Sequence, residues 1–457
     1  MRITQSLALA FGLSTALATP ILAETTAFPA TLAGHAILPA ATFIDPPEDA
    51  PASLAISGRY TGGAQGRIDE VGTLPGASFL APGESPRYTG LSTPFLGQPV
   101  QGFSGIKAMG DGTYWVLVDN GFGSKANSPD AMLQMHLVRP DWETGGVRIE
   151  ETLFLNDANR VLPFKIELDG SESRYLTGAD FDVESFQPIG DSIFIGDEFG
   201  PYLIEIDLTG TVTGFFHTTV GDATHVSPDN HGLRLPSTPD GTVGFDVRRS
   251  RGYEGMAAAP DGSVLYPMLE GPLWDAETGA WEMLDDQQVL RIFEFDTEAR
   301  AFTENYWFYP LEAEGHAIGD FNMMDAATGL VIERDGNEGI TSLACPDGEI
   351  APRCFEDPAT FKRVYRIELG EPGTVVRKIG YIDLLDIADP NGVAIQGHED
   401  GRFTFPFVTI EDVDIVDDEH IIVGNDNNLP FSAGRLPRKQ DDNEMILLNV
   451  ADFLAAE

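Results

Sequence analysis

"ESFQPIGDSIFIGDEFG", Glu184 to Gly200, decides the fold. Two β-prone runs flank Gly190-Asp191, and a short turn between such runs reads as an antiparallel hairpin. The first run opens on an acid, Glu184. The second closes on two, Asp197 and Glu198. A hairpin brings those ends together at one edge, so three carboxylates are expected to meet there.

The chain repeats this device. "SGIKAMGDGTYWVLVDNG" (Ser104 to Gly121), "EGMAAAPDGSVLYPMLEG" (Glu254 to Gly271), "GDFNMMDAATGLVIERDG" (Gly319 to Gly336) and "EDVDIVDDEHIIVGNDN" (Glu411 to Asn427) follow the same plan. Ser104 is expected to meet Asp119, Glu254 to meet Glu270, Asp320 to meet Glu333, and Glu411 to meet Asp426, at separations of 13 to 16 residues. Further strands such as "YLIEIDLTGTVTGFFH", "VLRIFEFD" and "RVYRIEL" follow the hairpins. Repeated four-stranded units of this kind predict an all-β β-propeller. Five hairpins are recognised and six blades are expected, with long loops between strands at Asp222–Arg248 and Asp335–Phe361. Residues 24–99 carry two candidate strands, "LAGHAIL" and "LAISGRYTG". These either complete a further blade or pair with the C-terminal run "EMILLNV" to close the ring.

Composition narrows the function. The 457 residues are 42% hydrophobic, with 49 Gly and 31 Pro, which suits one large turn-rich domain over 24–457. The 72 acidic against 28 basic residues give a formal charge of −44. That excess opposes nucleic-acid binding and docking on anionic membranes. The start, residues 1–23, reads as a signal peptide: Arg2, an apolar run from Leu7 to Leu17, and a small-residue cleavage site after Ala23. No later stretch is long and apolar enough to span a bilayer. A periplasmic or secreted protein is expected, and there Cys345 and Cys354 of "CPDGEIAPRC" suit a local disulfide.

Several ordered motifs carry a family resemblance: "FDVESF" with "GDEFGPYLIEIDLTG", then "RGYEGMA", "GLVIERDG" and "TIEDVDIVDDEHIIVGNDNN". With the opening "FPATLAGHAILPAATFIDPPEDAPASLAISGRYTG", they resemble the bacterial phytase-like proteins with esterase-like activity, over nearly all of the chain beyond residue 23. The resemblance implies a propeller and a phosphoester or ester hydrolase. The chain departs from the family's last motif, which tends to Asn-x-Glu-Gly, by Thr409-Ile410-Glu411-Asp412, while the acidic Asp426-Asn427-Asn428 is kept.

The blade edges are expected to converge on one channel mouth. So many carboxylates cannot all stay ionised together without compensation. A cation with oxygen ligands relieves them, and calcium suits this acid and amide set better than zinc. Glu184, Asp197, Glu198, Glu270, Asp320, Glu333, Asp426 and Asn427 are the expected metal ligands. Glu254 or Glu411 is the expected general base, with Arg251 and Arg334 stabilising developing negative charge. Asp119, Lys107 and His316 are expected substrate contacts, although His316 reads first as a core histidine and the two arginines as partners of buried acids. Each acid taken singly reads equally well as a cap on backbone amides. The expected activity is a calcium-assisted phosphoesterase acting on a small molecule. A metal-dependent carboxylic-ester or lactone hydrolase, and a non-enzymatic calcium-stabilised binding propeller, are the alternatives. No Gly-x-Ser-x-Gly elbow, His-Glu-x-x-His helix or Walker loop is present.

Overall fold

Alternating β-branched and aromatic residues, punctuated by tight turns, make four-stranded antiparallel meanders. In the computed structural model, which describes residues 25–63, 66–78, 86–234, 244–346 and 352–456, five of them form five blades. Blade 1 runs through Phe103–Ala108, Tyr114–Val118, Gln134–Asp141 and Gly146–Phe154. Blade 2 follows with Val183–Ile189, Ser192–Asp197, Tyr202–Asp207 and Val212–His217. Blade 3 comprises Tyr253–Ala258, Val264–Leu269, Gln287–Asp296 and Ala301–Pro310. Blade 4 comprises Ala317–Met323, Thr328–Arg334, Lys362–Glu368 and Arg377–Asp383, with Thr26–Phe28 added in parallel at its outer edge.

Blade 5 is stitched from both ends of the described chain. Ile410–Ile415, His420–Asn425 and Asn443–Asn449 supply three strands, and Thr31–Leu38 pairs antiparallel with the last of them, Leu38 opposite Asn443. The first strand of every blade packs against the first strand of the next, and blade 5 packs back on blade 1. The ring therefore closes on five blades among the described residues. The expected sixth blade is corrected: the "LAGHAIL" run joins "EMILLNV" instead, and a ring already closed has no edge left to extend.

Apolar side chains fill the space between blades. Leu117, Val183, Ile195 and Ile204 lie in the layer between blades 1 and 2, and Ile332, Val364, Val413 and Val423 in that between blades 4 and 5. Among the described residues no helix is long and apolar enough to cross a membrane. The signal-peptide reading lies outside the described residues.

Within each blade the first strand starts, and the second ends, at the same face. Turns on the opposite face are short, such as Gly190-Asp191. The long connections, where described, start from the first face: residues 39–63, 66–78 and 86–102, then 119–133, 155–182, 218–234, 244–252, 270–286, 335–346, 352–361, 384–409 and 426–442. The Cys345–Cys354 disulfide braces one of them.

Candidate active site

A register break interrupts the pairing of the first two strands at the same place in every blade. It falls between Phe103 and Ile106, Val183 and Ser185, Tyr253 and Gly255, Ile318 and Phe321, and Ile410 and Asp412. Bulges of this kind re-aim a side chain. The re-aimed positions are Ser104, Glu184, Glu254, Gly319 and Glu411. Opposite them, one residue past the second-strand partners of Phe103, Val183, Tyr253, Ile318 and Ile410, stand Asp119, Glu198, Glu270, Arg334 and Asp426. Ten positions thus form one ring around the channel mouth. Four blades contribute acids at the second position, and blade 4 contributes Arg334.

The asymmetry of blade 4 is steric. A Cβ on Gly319 would lie 1.8 Å from the carbonyl oxygen of Ile410, so no side chain fits there. Arg334 fills the vacated side. Its Nη2 donates to Glu411 Oε1 at 2.8 Å and stands 3.5 and 3.4 Å from Glu254 and Glu270. Arg251 Nη1 lies 2.6 Å from Glu270 Oε1. Glu411 also accepts from Ser104 Oγ at 3.1 Å and hydrogen-bonds with Glu254.

A second group gathers beside blade 2. Asp182, just before its first strand, joins Glu184 and Glu198 with carboxylate oxygens within 4.8 Å of one another. Glu198, Glu254 and Glu270 form a like triad. Both triads are buried, and Glu198 Oε1 has no hydrogen-bond partner. A buried oxygen left unpaired costs about 1–3 kcal/mol, so the acid cluster has the chemistry of a metal seat. Burial, and then neighbouring carboxylates, hold Glu184, Glu198, Glu254 and Asp426 well above the usual carboxylate range. Burial pushes Asp182 up to about 6, although Glu184 and Asn120 hydrogen-bond to it. Burial raises Glu411 too, but Arg334 pulls it back.

The ring brings together Glu184, Glu198, Glu254, Glu270, Glu411, Asp426, Asp119, Arg251 and Arg334 of the sequence candidates. Others stand elsewhere, and their expected roles are corrected. Asp197 points away from the ring: its oxygens accept from the backbone of Asp182 at 2.8 Å and Gly200 at 2.7 Å. Asp320 accepts from the amide of Val413 at 2.9 Å and ties blade 4 to blade 5. Glu333 is fully buried on the other side of its strand, where Lys378, His316 and the Tyr309 hydroxyl surround it, so His316 is no substrate contact. Lys107 bonds Asn322 and Asp414 towards the opposite end of its strand. Asn427 accepts from the Gly102 amide at 3.1 Å, linking blades 5 and 1.

Sequence reasoning missed Asp182 and Lys125, which lie in connections. Lys125 Nζ donates to the Asp229 carbonyl at 2.7 Å, and its ammonium feels Asp197 and Asp182. It also missed a small hairpin rising beside Glu270, where Trp274 pairs with Trp281 and Arg248 lies 5.2 Å over the Trp281 ring. A cleft of about 570 Å³ on the flank of blades 2 and 3, lined by Phe216, Phe295 and Phe302, shares no residue with the ring.

The model of a family described as phytase-like, with the esterase-like activity of phytase, matches residues 98–429. The chain belongs to the phytase-like family. That phytase-like match takes in the whole ring, from Ser104 to Asp426, and supports a hydrolase of a small-molecule substrate. No curated protein matches the chain. Among solved structures, a luciferin-regenerating enzyme is similar at 10% identity and a TM-score of 0.30, over 77% of this chain and 92% of that one. A putative 6-phosphogluconolactonase from Bacteroides uniformis is similar at 12% identity and a TM-score of 0.27, over 78% and 89%. Those two likenesses carry nothing about the activity of this phytase-like chain.

Proposed function

We propose that this protein is an exported, calcium-assisted phosphoester hydrolase working at the carboxylate ring. The observation that carries the reading is the pairing of Glu254 and Glu411 beside Arg334, next to acid triads with an unpaired buried oxygen. A calcium ion held by Asp182, Glu184 and Glu198 would supply positive charge that draws and polarises an anionic ester.

The chain's own residues then divide the proton work. Glu411, kept towards its ionised form by Arg334 and Ser104, takes a proton from the attacking water. Glu254, held protonated by its surroundings, gives its proton to the leaving alcohol oxygen as the phosphorus–oxygen bond to it breaks. Their mutual hydrogen bond lets the proton gained by Glu411 return to Glu254. Arg334 and Arg251 receive the negative charge that builds on the phosphoryl oxygens. The Arg251 side chain is 40% exposed, so it can turn from Glu270 to substrate.

The test is phosphate release from phytate and from p-nitrophenyl phosphate by chelator-stripped protein, with calcium titrated in. Release that rises with calcium and is lost in Glu254→Gln is the expected result. A second reading, a carboxylic-ester or lactone hydrolase, is favoured by the −44 charge, which suits a neutral substrate. Hydrolysis of a lactone or an aryl acetate without phosphate release would establish it. No turnover of either class would leave a binding propeller.

A further inference from the structure

The two acid triads share one member. Asp182 and Glu184 stand on one side of Glu198, and Glu254 and Glu270 on the other. Oxygen ligands lie about 2.3–2.6 Å from calcium, so oxygens of one shell reach about 5 Å apart. Each triad meets that limit by itself, whereas the five residues do not form one group within it. A single ion cannot satisfy both sides. Glu198 has the means to serve two, since its side chain is 4% exposed and its Oε1 is buried without a partner.

The two sides differ in counter-charge. On the first, Asp182 accepts from the neutral amide of Asn120 and feels the Lys125 ammonium only through space, and among the described residues no arginine or lysine makes an ion pair with Asp182 or Glu184. On the second, Glu270 is paired with Arg251, and both Glu254 and Glu270 face Arg334. A cation entering there meets carboxylates already partly neutralised and the repulsion of two guanidinium groups.

We propose that the ring holds two divalent cations bridged by Glu198, a tight one with Asp182 and Glu184 and a weaker one with Glu270 and one oxygen of Glu254, whose other oxygen keeps its proton. This rests on the reading that the ring takes cations, and adds their number, order and shared ligand. The weaker seat adjoins the arginines, where an anionic ester would complete its shell.

The test is calcium titration of the chelator-stripped full chain, by calorimetry and by native mass spectrometry. Two ions with dissociation constants at least tenfold apart are expected. Glu184→Gln should remove the tight ion, Glu270→Gln the weak one, and Glu198→Gln should weaken both at least tenfold. Glu198→Asp, which keeps the charge and shortens the reach, should also weaken both, and melting curves without calcium establish that each variant folds. One ion only, an unchanged pair in the two Glu198 variants, or loss of the same ion in Glu184→Gln and Glu270→Gln would overturn the proposal. Two bridged ions in a protein that hydrolyses nothing would sink the proposed function and leave this standing. Calcium-dependent hydrolysis with one bound ion would do the reverse.

Discussion

Arg334 stands where the other four blades place a carboxylate, and three glutamates lean on it. Removing one partner of a buried ionic group is costly because the remaining charges stay buried, typically about 3–5 kcal/mol. Arg334→Gln should therefore lower the stability of the calcium-free protein by roughly that much, measured by chemical denaturation, with calcium restoring part of it. Glu254→Gln should act differently: turnover falls by about 10²- to 10⁴-fold, the usual worth of a general acid, while the melting temperature holds or rises. Far from the ring, Glu444 is a structural carboxylate. Burial pushes it up, but Arg435 and His35 overcome this and bring it down to about 2. Its folded value lies below its unfolded one, so its contribution is present above about pH 4.5 and is lost as pH falls through about 2. Arg435→Met should shift acid unfolding to higher pH, read by circular dichroism.

At the scale of the element, one bulge per blade sets which acids enter the ring. Gly319 shows how tight that geometry is, since an added Cβ would strike the Ile410 carbonyl. Gly319→Ala should cost about 3 kcal/mol or more, because backbone cannot yield as a flexible side chain does. The hairpin repeat made the ring legible in the sequence: turn residues and alternating runs fix where each strand starts and ends. The side each terminal residue faces was less legible. Asp197 and Glu198 are consecutive, so they point opposite ways, and only Glu198 enters the ring. In blade 4 the same one-residue step separates Glu333 from Arg334, and choosing Glu333 put an acid where the fold puts a cation. Asp182 and Lys125 carried no strand signal at all. They sit in connections whose path depends on tertiary contacts, and the number of blades depended on where the N-terminal strand would pair.

For the whole molecule, the buried acids in the ring and between the blades are a store of electrostatic cost. Burial raises Asp182 to about 6, Asp197 to about 7 and Asp320 to about 8. Each folded value lies above the unfolded one near 3.8. Their contribution is therefore fully present below about pH 4 and is lost as pH rises towards 8. The calcium-free protein should melt at progressively lower temperature between pH 5 and 8, and calcium should raise the melting temperature more at pH 8 than at pH 5, since a bound ion stabilises only the folded state. Scanning calorimetry at several pH values checks both. An equal calcium effect at both pH values would contradict the account. Deleting residues 25–38 should abolish the cooperative transition, because it removes the strand that pairs with Asn443–Asn449.

That closure also sets an order in time. Thr31–Leu38 emerges early in synthesis, and its partner strand is made more than 400 residues later. Glu411 and Asp426 belong to the same late segment. Until then the ring lacks its fifth side, and Arg334 lacks the glutamate it holds most closely. The chain thus brings Glu411 against Glu254 and Arg334 only with the last blade, when the other four are present to hold them together.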